Sequence, residues 1–528
     1  MPSSEATMRF PVRGIDRLES FQMQEAYSTF EGINVRAFDV VDRARGGSRA
    51  GLSRYIDEQI GSLAWLVSDL NQITIVGTPV VQSSSSGRIV YLVAVQQGKV
   101  YYAEAGATSW TEATDNATPT PPLNTSGVIR SAANGLKLYF ADGTNEVYFD
   151  PSTLSVENWA ESAGTLPVDG SGNRPRLIAT WRGRTVLSGV LEDSQNWFMS
   201  AVNDATNWDY SPASTTPTQA IAGNNAPQGL IGDVINGLCP YNDDVLIFFG
   251  DHTIYMMRGD PLSGGSIDLV TSAIGGVWGT PWCMDPQGAI YFFSNLCGIY
   301  RMDPYSGQFD RISRAIDNIL EDIDTGKNNI RLAWNDRYQG FHVFITPTAN
   351  ALAGEDAFHL FWEARTDSWW KDTFANYRHN PLAVHTFDGN LPGDRTVIIG
   401  SWDGIVRSID DTATTDDGHD IESSVWIGPI LSREMDDMLL QEVQAMLGET
   451  SGDVTYSIHT GNTPEEALAS EAVFSDTWSA GRNPNMDAHC AGHAVYIKIT
   501  STNRWAMESI RLKVQGKGKI RRRQYRSK

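Results

Sequence analysis

Cysteine is scarce in this chain: Cys239, Cys283, Cys297 and Cys490 are the only four in 528 residues, and no CxxC spacing occurs. That density is far below a disulfide scaffold and predicts four reduced thiols in a reducing compartment. Long hydrophobic runs are missing too. Stretches such as residues 245–249 are too short to span a bilayer, so no membrane insertion is expected. The opening MPSSEATMRFPVRG lacks the apolar segment of a signal peptide, and synthesis and folding in cytoplasm are expected. Positive charge is in deficit. With 41 Lys+Arg against 63 Asp+Glu the net charge is −22, which argues against a protein that grips phosphates over its whole surface. Nucleotide and hydrolase signatures (GxxxxGKS/T, GxSxG, HExxH) are absent, and GDPLSGGS (259–266) reads as a turn.

What is present is a large interior and many turns. Hydrophobic residues make up 41 %, with 16 Trp, which excludes general disorder. The 48 Gly and 23 Pro are spread along the sequence, so many short strands and an all-β fold are expected. The length suggests two to four domains.

The strongest signal is an internal repeat. VYLVAVQQGKVYYAE (90–104), LKLYFADGTNEVYFD (136–150), VLIFFGDHTIYMMRGD (245–260), IYFFSNLCGIYRMD (290–303) and VIIGSWDGIVRSID (397–410) each read as strand, tight turn, strand. Residues 185–202 and the pair 341–347 and 358–364 are looser members. Turn centres recur about every 51 residues, the length of a four-stranded propeller blade with generous loops. The first strand of each pair is a near-continuous apolar run, as for an inner strand buried on both faces. The turns carry Gly, Asp and Asn, which tolerate positive φ. Asp150-Pro151, Asp260-Pro261 and Asp303-Pro304 end three of the second strands, because proline cannot continue a ladder. SVENW (155–159) and DSWWKD (367–372) suit outer strands. A large sandwich lacks such a period and a β-helix has a shorter one.

The expected plan is therefore an N-terminal arm and platform segment over 1–75, a six- or seven-bladed β-propeller over 76–415, and a C-terminal antiparallel β-sandwich with a basic tail over 416–528. In the arm, 44–60 reads as an Arg/Gly loop leading into a short helix. Residues 311–324 carry apolar side chains at helical spacing, which predicts one helix between blades. Strands are expected at 454–461, 493–501 and 507–516.

Candidate chemistry is thin. The cluster His489, Cys490, His493 holds three metal-ligand types but lacks a fourth, and it reads as loop and core residues, so neither a metal nor any cofactor is expected. The acidic run Asp410, Asp411, Asp416, Asp417, Asp420 has no EF-hand spacing and reads as a solvated linker. Asp243-Asp244 and Asp436-Asp437 are adjacent acids, which point to opposite faces of a strand and cannot form one glycosidase site. No enzyme is expected. The functional-looking segment is the C-terminal tail. Residues 513–528 carry eight Lys or Arg and no acid, so the remainder stands at −30 once that +8 is set against −22. An acidic surface on a neighbouring copy is the expected partner of that tail.

ARGGSRAGLSRYI (44–56), NWDYSP (207–212), QAIAGNNAPQGLIGD (219–233), TWSAGRN (477–483) and NRWAMESIRLKV (503–514) resemble segments of tailed-bacteriophage virion proteins. The overall plan resembles the tail-nozzle proteins of short-tailed phages, also called tail-hub or packaged-DNA stabilisation proteins. The Arg-rich extension departs from that pattern. The resemblance implies a structural virion protein, assembled in the host cytoplasm as a hexameric ring below portal and adaptor proteins. Tail fibre or needle proteins would be further partners, and DNA would pass through an acidic lumen without sequence-specific binding. On that plan Arg45, Arg49, Lys517, Lys519, Arg521, Arg522, Arg523 and Arg526 are candidate intersubunit or partner anchors. The alternative is a propeller that binds or cleaves host-surface glycans.

Overall fold

The computed structural model describes residues 4–21, 23–61, 67–76, 88–211, 216–348, 357–389, 395–431 and 436–516. Seven antiparallel units of four strands stand in a ring, forming a β-propeller. Each hairpin read from the sequence supplies the second and third strands of one blade, as with Val245–Gly250 and Ile254–Arg258 in blade 4. The first turn is typical: Gln97 and Gly98 both take positive φ, 50° and 75°, between the strands Arg88–Gln96 and Lys99–Glu104.

Each hairpin's first strand is an inner strand of its sheet, as expected, but not the one nearest the axis. One further strand precedes it in every blade: Val67–Val76, Arg130–Asn134, Leu177–Trp181, Ile235–Asn242, Trp282–Met284, Asn328–Asn335 and Pro381–Phe387 line the axis in turn. Side chains alternate across the sheet, and both faces meet a neighbouring blade. Thus Val245, Ile247 and Phe249 pack toward blade 5, while Leu246 and Phe248 pack toward blade 3. The same holds in blade 5, where Phe292 joins the core shared with blade 4 and Tyr291 the core shared with blade 6.

The ring closes with a strand from the N-terminal arm. Gly51–Arg54 is the fourth strand of blade 7, antiparallel to Val406–Asp410 with Gly51 opposite Asp410. The expected loop-to-helix at 44–60 is therefore replaced by a strand, and the propeller begins at 51 rather than 76. Blade 7 then packs against blade 1 through Ala383, Phe387, Ile398 and Leu92.

The sandwich is present and also borrows from the arm. One sheet runs Ser4–Met8, Met507–Gly516, Met438–Leu447, Arg482–Gly492, and the other Ser423–Leu431, Ala494–Ser501, Val454–Gly461, Phe474–Trp478. Trp478, Trp505, Tyr456 and Val443 fill the core between them. Gly32–Ile33 joins the two domains. Ile33 pairs in parallel with Lys371 of blade 6 and Gly32 pairs antiparallel with Val425 of the sandwich, making one nine-stranded sheet. The arm is thus no separate platform but a thread through both domains.

Two further expectations change. Over 311–324 the structure has a 3₁₀ turn at Arg314–Ile316 and one helical turn at Asp317–Leu320, because burying Ile316, Leu320 and Ile323 between blades 5 and 6 needs no more. The acidic run is not a solvated linker. Asp416 is wholly buried, Asp411 accepts from Arg337, and Asp417 accepts from Arg54 and Arg407. Asp410 caps Thr412, and only Asp420 is exposed.

Candidate functional site

Two of the arginines expected to reach a neighbour, Arg45 and Arg49, are occupied within their own chain. Arg49 donates from both Nη atoms to Asp416, at 2.8 and 2.6 Å, and from Nε to Asn34 Oδ1 at 2.9 Å. Its side chain is 5 % exposed. Beside it Arg36 forks onto Asp372 of blade 6 at 2.8 and 2.5 Å. Arg45 bridges Asp39 at 2.6 Å and Glu508 of the sandwich at 2.5 Å. Arg45 and Arg49 are braces within the chain. Lys517, Lys519, Arg521, Arg522, Arg523 and Arg526 lie outside the described residues. The His489, Cys490, His493 cluster is split by strand alternation: His489 faces solvent, Cys490 faces the sandwich core, and His493 approaches the Asp436 carbonyl.

The unexpected concentration of charge lies on the propeller axis. Arg130 opens the innermost strand of blade 2, and Arg331 sits in that of blade 6, so a seven-membered ring of strands brings them together across the centre. They are 5 % and 7 % exposed. Among the described residues neither forms an ion pair, and neither Nε has a hydrogen-bond partner. Arg331 donates to Thr280 Oγ1, and Arg130 makes one long bond, 3.5 Å, to the Arg176 carbonyl. The Asp69 carboxylate of blade 1, whose charge acts on both guanidinium groups, accepts from the Ser131 hydroxyl. Burial pushes the Asp69 carboxyl up to about 6, against the pull of Ser131 and both arginines. Burial likewise draws the Arg130 guanidinium down to about 9, with the Arg331 charge adding to the effect.

Arg130 forms the floor of an open cavity of about 450 Å³. Trp278 makes one wall, 38 % exposed, with the Arg130 guanidinium carbon 5.8 Å from its ring centre. Gly279, at φ 115°, is required here, because a Cβ would collide with Arg130 Nη2. Arg176 and three amides, Asn124, Asn173 and Asn328, stand around the mouth. Asp142 also lines the cavity, but its oxygens take the backbone N–H groups of Asn124, Thr144 and Asn145 at 2.6–2.7 Å. The site is rich in fixed donors and carries a small positive excess in a strongly acidic protein. The sequence carries no local sign of this pair: Arg130 stands in RSAAN (130–134) and Arg331 in NNIRLAWN (328–335).

No family model and no curated protein matches this chain. Among solved structures it is similar to YCF48 bound to D1 peptide, at 13 % identity and TM-score 0.38 over 68 % of this chain and 97 % of that one. YCF48 from Cyanidioschyzon merolae gives 12 % and 0.39, covering 67 % and 98 %. The extracellular domain of a putative one-component system of B. thetaiotaomicron gives 10 % and 0.42, covering 84 % of this chain and 55 % of that one. At these values no function is carried across.

Proposed function

We propose that this chain is a structural subunit of a short-tailed phage tail, a nozzle protein that assembles as a ring and continues or closes the DNA channel. The observation that supports this most is the single nine-stranded sheet running from blade 6 through Gly32–Ile33 into the sandwich. Load applied to the propeller reaches the sandwich through backbone hydrogen bonds and two buried Arg–carboxylate forks. A subunit that must hold its place while DNA leaves under pressure needs that coupling. The charge of −22 suits a channel wall that DNA passes without sticking. On this reading the protein works by docking rather than by catalysis, and its copies, connector proteins and fibres are its partners.

Electron microscopy of the purified protein, and of the particle that contains it, tests the reading. Rings, six-fold by expectation, at the distal end of a head–tail connector are the predicted outcome. A protein that stays monomeric at all concentrations and is missing from purified virions would refute it.

A further inference from the structure

A buried guanidinium without a carboxylate partner is costly, and two of them face each other on the axis of this propeller. The surrounding fold relieves the cost only in part, through the charge of Asp69, which makes no ion pair with either guanidinium among the described residues. Asp69 is tied to Ser131, and Asp142 is saturated by backbone donors. Gly279, at φ 115° and without a Cβ, leaves free the space that the Arg130 guanidinium occupies. Arg130 lines an open cavity large enough for a few residues of extended peptide or one small organic acid, and the Arg331 charge acts on it from outside that lining.

From this geometry we propose that the axial cavity binds a single carboxylate group, taken by the Arg130 guanidinium and Arg176, with the adjoining carbon skeleton packed on Trp278. The charge balance selects the ligand. In the cavity lining Arg130 and Arg176 stand against Asp142, an excess of one positive charge, with Arg331 and Asp69 offsetting each other behind it. A carboxylate carries one negative charge, whereas a phosphate monoester at neutral pH carries nearly two and would meet the two local acids with charge to spare. A guanidinium fork also matches a planar carboxylate in shape. Trp278 supplies an apolar face beside the charge, which an inorganic ion would leave unused. The carboxylate would come from the C-terminus of a partner's extended segment or from a free organic acid. This site stands independently of the nozzle reading.

Calorimetric titration of the full-length protein tests it with four probes: a tetrapeptide with a free C-terminus, the same peptide C-terminally amidated, propionate, and inorganic phosphate. Binding of the free-acid peptide with loss on amidation is the expected result, and propionate as tight as the peptide would assign the site to free acids. Arg130→Gln should weaken the carboxylate probe about tenfold or more. Trp278→Ala, at a partly exposed position that leaves the blades' cores intact, should weaken it severalfold, and it keeps the test valid if Arg130→Gln fails to fold. No binding by either carboxylate probe, phosphate binding more tightly than both, or unchanged binding in the folded variants would each overturn the proposal.

Discussion

Arg49 and Asp416 hold each other in a two-point grip across 367 residues of chain, both side chains almost fully out of water. The pair fixes the arm to the segment that leaves blade 7. Desolvating both ions costs much of what their attraction returns, so the pair's net contribution is modest, but breaking it leaves a bare buried charge. Arg49→Ala should therefore destabilise the protein by about 3–5 kcal/mol. Urea unfolding of variant and wild type measures the difference, and a loss below about 1 kcal/mol would show the pair to be solvent-relaxed.

Leu52 tests the ring closure. It is 3 % exposed in the core shared by blades 6 and 7. Leu52→Asp should cost about 3 kcal/mol or more through lost burial and an unpaired carboxylate, releasing the closing strand first. Limited proteolysis should then cut near residues 44–60 before it cuts any blade.

Acid should weaken this fold well above the usual carboxylate range. Burial draws His342 down to about 3, and His359 and His379 to about 4. Below about 6.5 the unfolded chain binds these protons and the folded one does not, so stability present at neutral pH is lost as pH falls toward 4. Asp69 acts in the opposite sense. With its carboxyl raised to about 6, its contribution is fully present below the unfolded value and fades as pH rises through 6. His385 is likewise drawn by burial to about 4. Glu146, raised by burial to about 7, acts as Asp69 does. Four histidines outweigh two carboxyls, so urea midpoints should drop between pH 7.5 and 5. Asp69→Asn should make that drop steeper.

The thiols should be slow. Cys239, Cys283 and Cys490 are buried and Cys297 is half-buried, and burial raises the pKa of all four. A thiol-specific dye should label the native protein at Cys297 first and all four only after unfolding. Rapid native labelling of Cys239 would show that blades 4 and 5 part readily.

The hairpins were legible because turn chemistry and apolar runs are local signals. Gly98 and the strands around it announce themselves within fifteen residues. The sandwich strand at 507–516 was legible for the same reason. The arm was not. Gly32–Ile33 and Gly51–Arg54 are two and four residues long, and their partners lie far along the chain. No local pattern marks a strand that short. Asp416 was misread because a buried, paired carboxylate and a solvated one have the same letter. The axial pair was hidden in another way. Arg130 and Arg331 meet only once seven blades have turned through a full circle, and the repeat that predicts the blades says nothing about which residues face the axis.

Closing the ring with Gly51–Arg54 also sets an order of events during synthesis. That strand leaves the ribosome early, yet its partner Val406–Asp410 appears only after nearly the whole propeller has been made. At about 5–20 residues per second the wait is about 20–70 s. Throughout it an apolar Leu52 and a row of unpaired backbone groups stay open to any passing strand edge. The glycine, arginine and serine around it, residues 45–54, make it soluble while it waits. Production of this protein should therefore be limited by chaperone supply during elongation, more than by the stability of the finished ring.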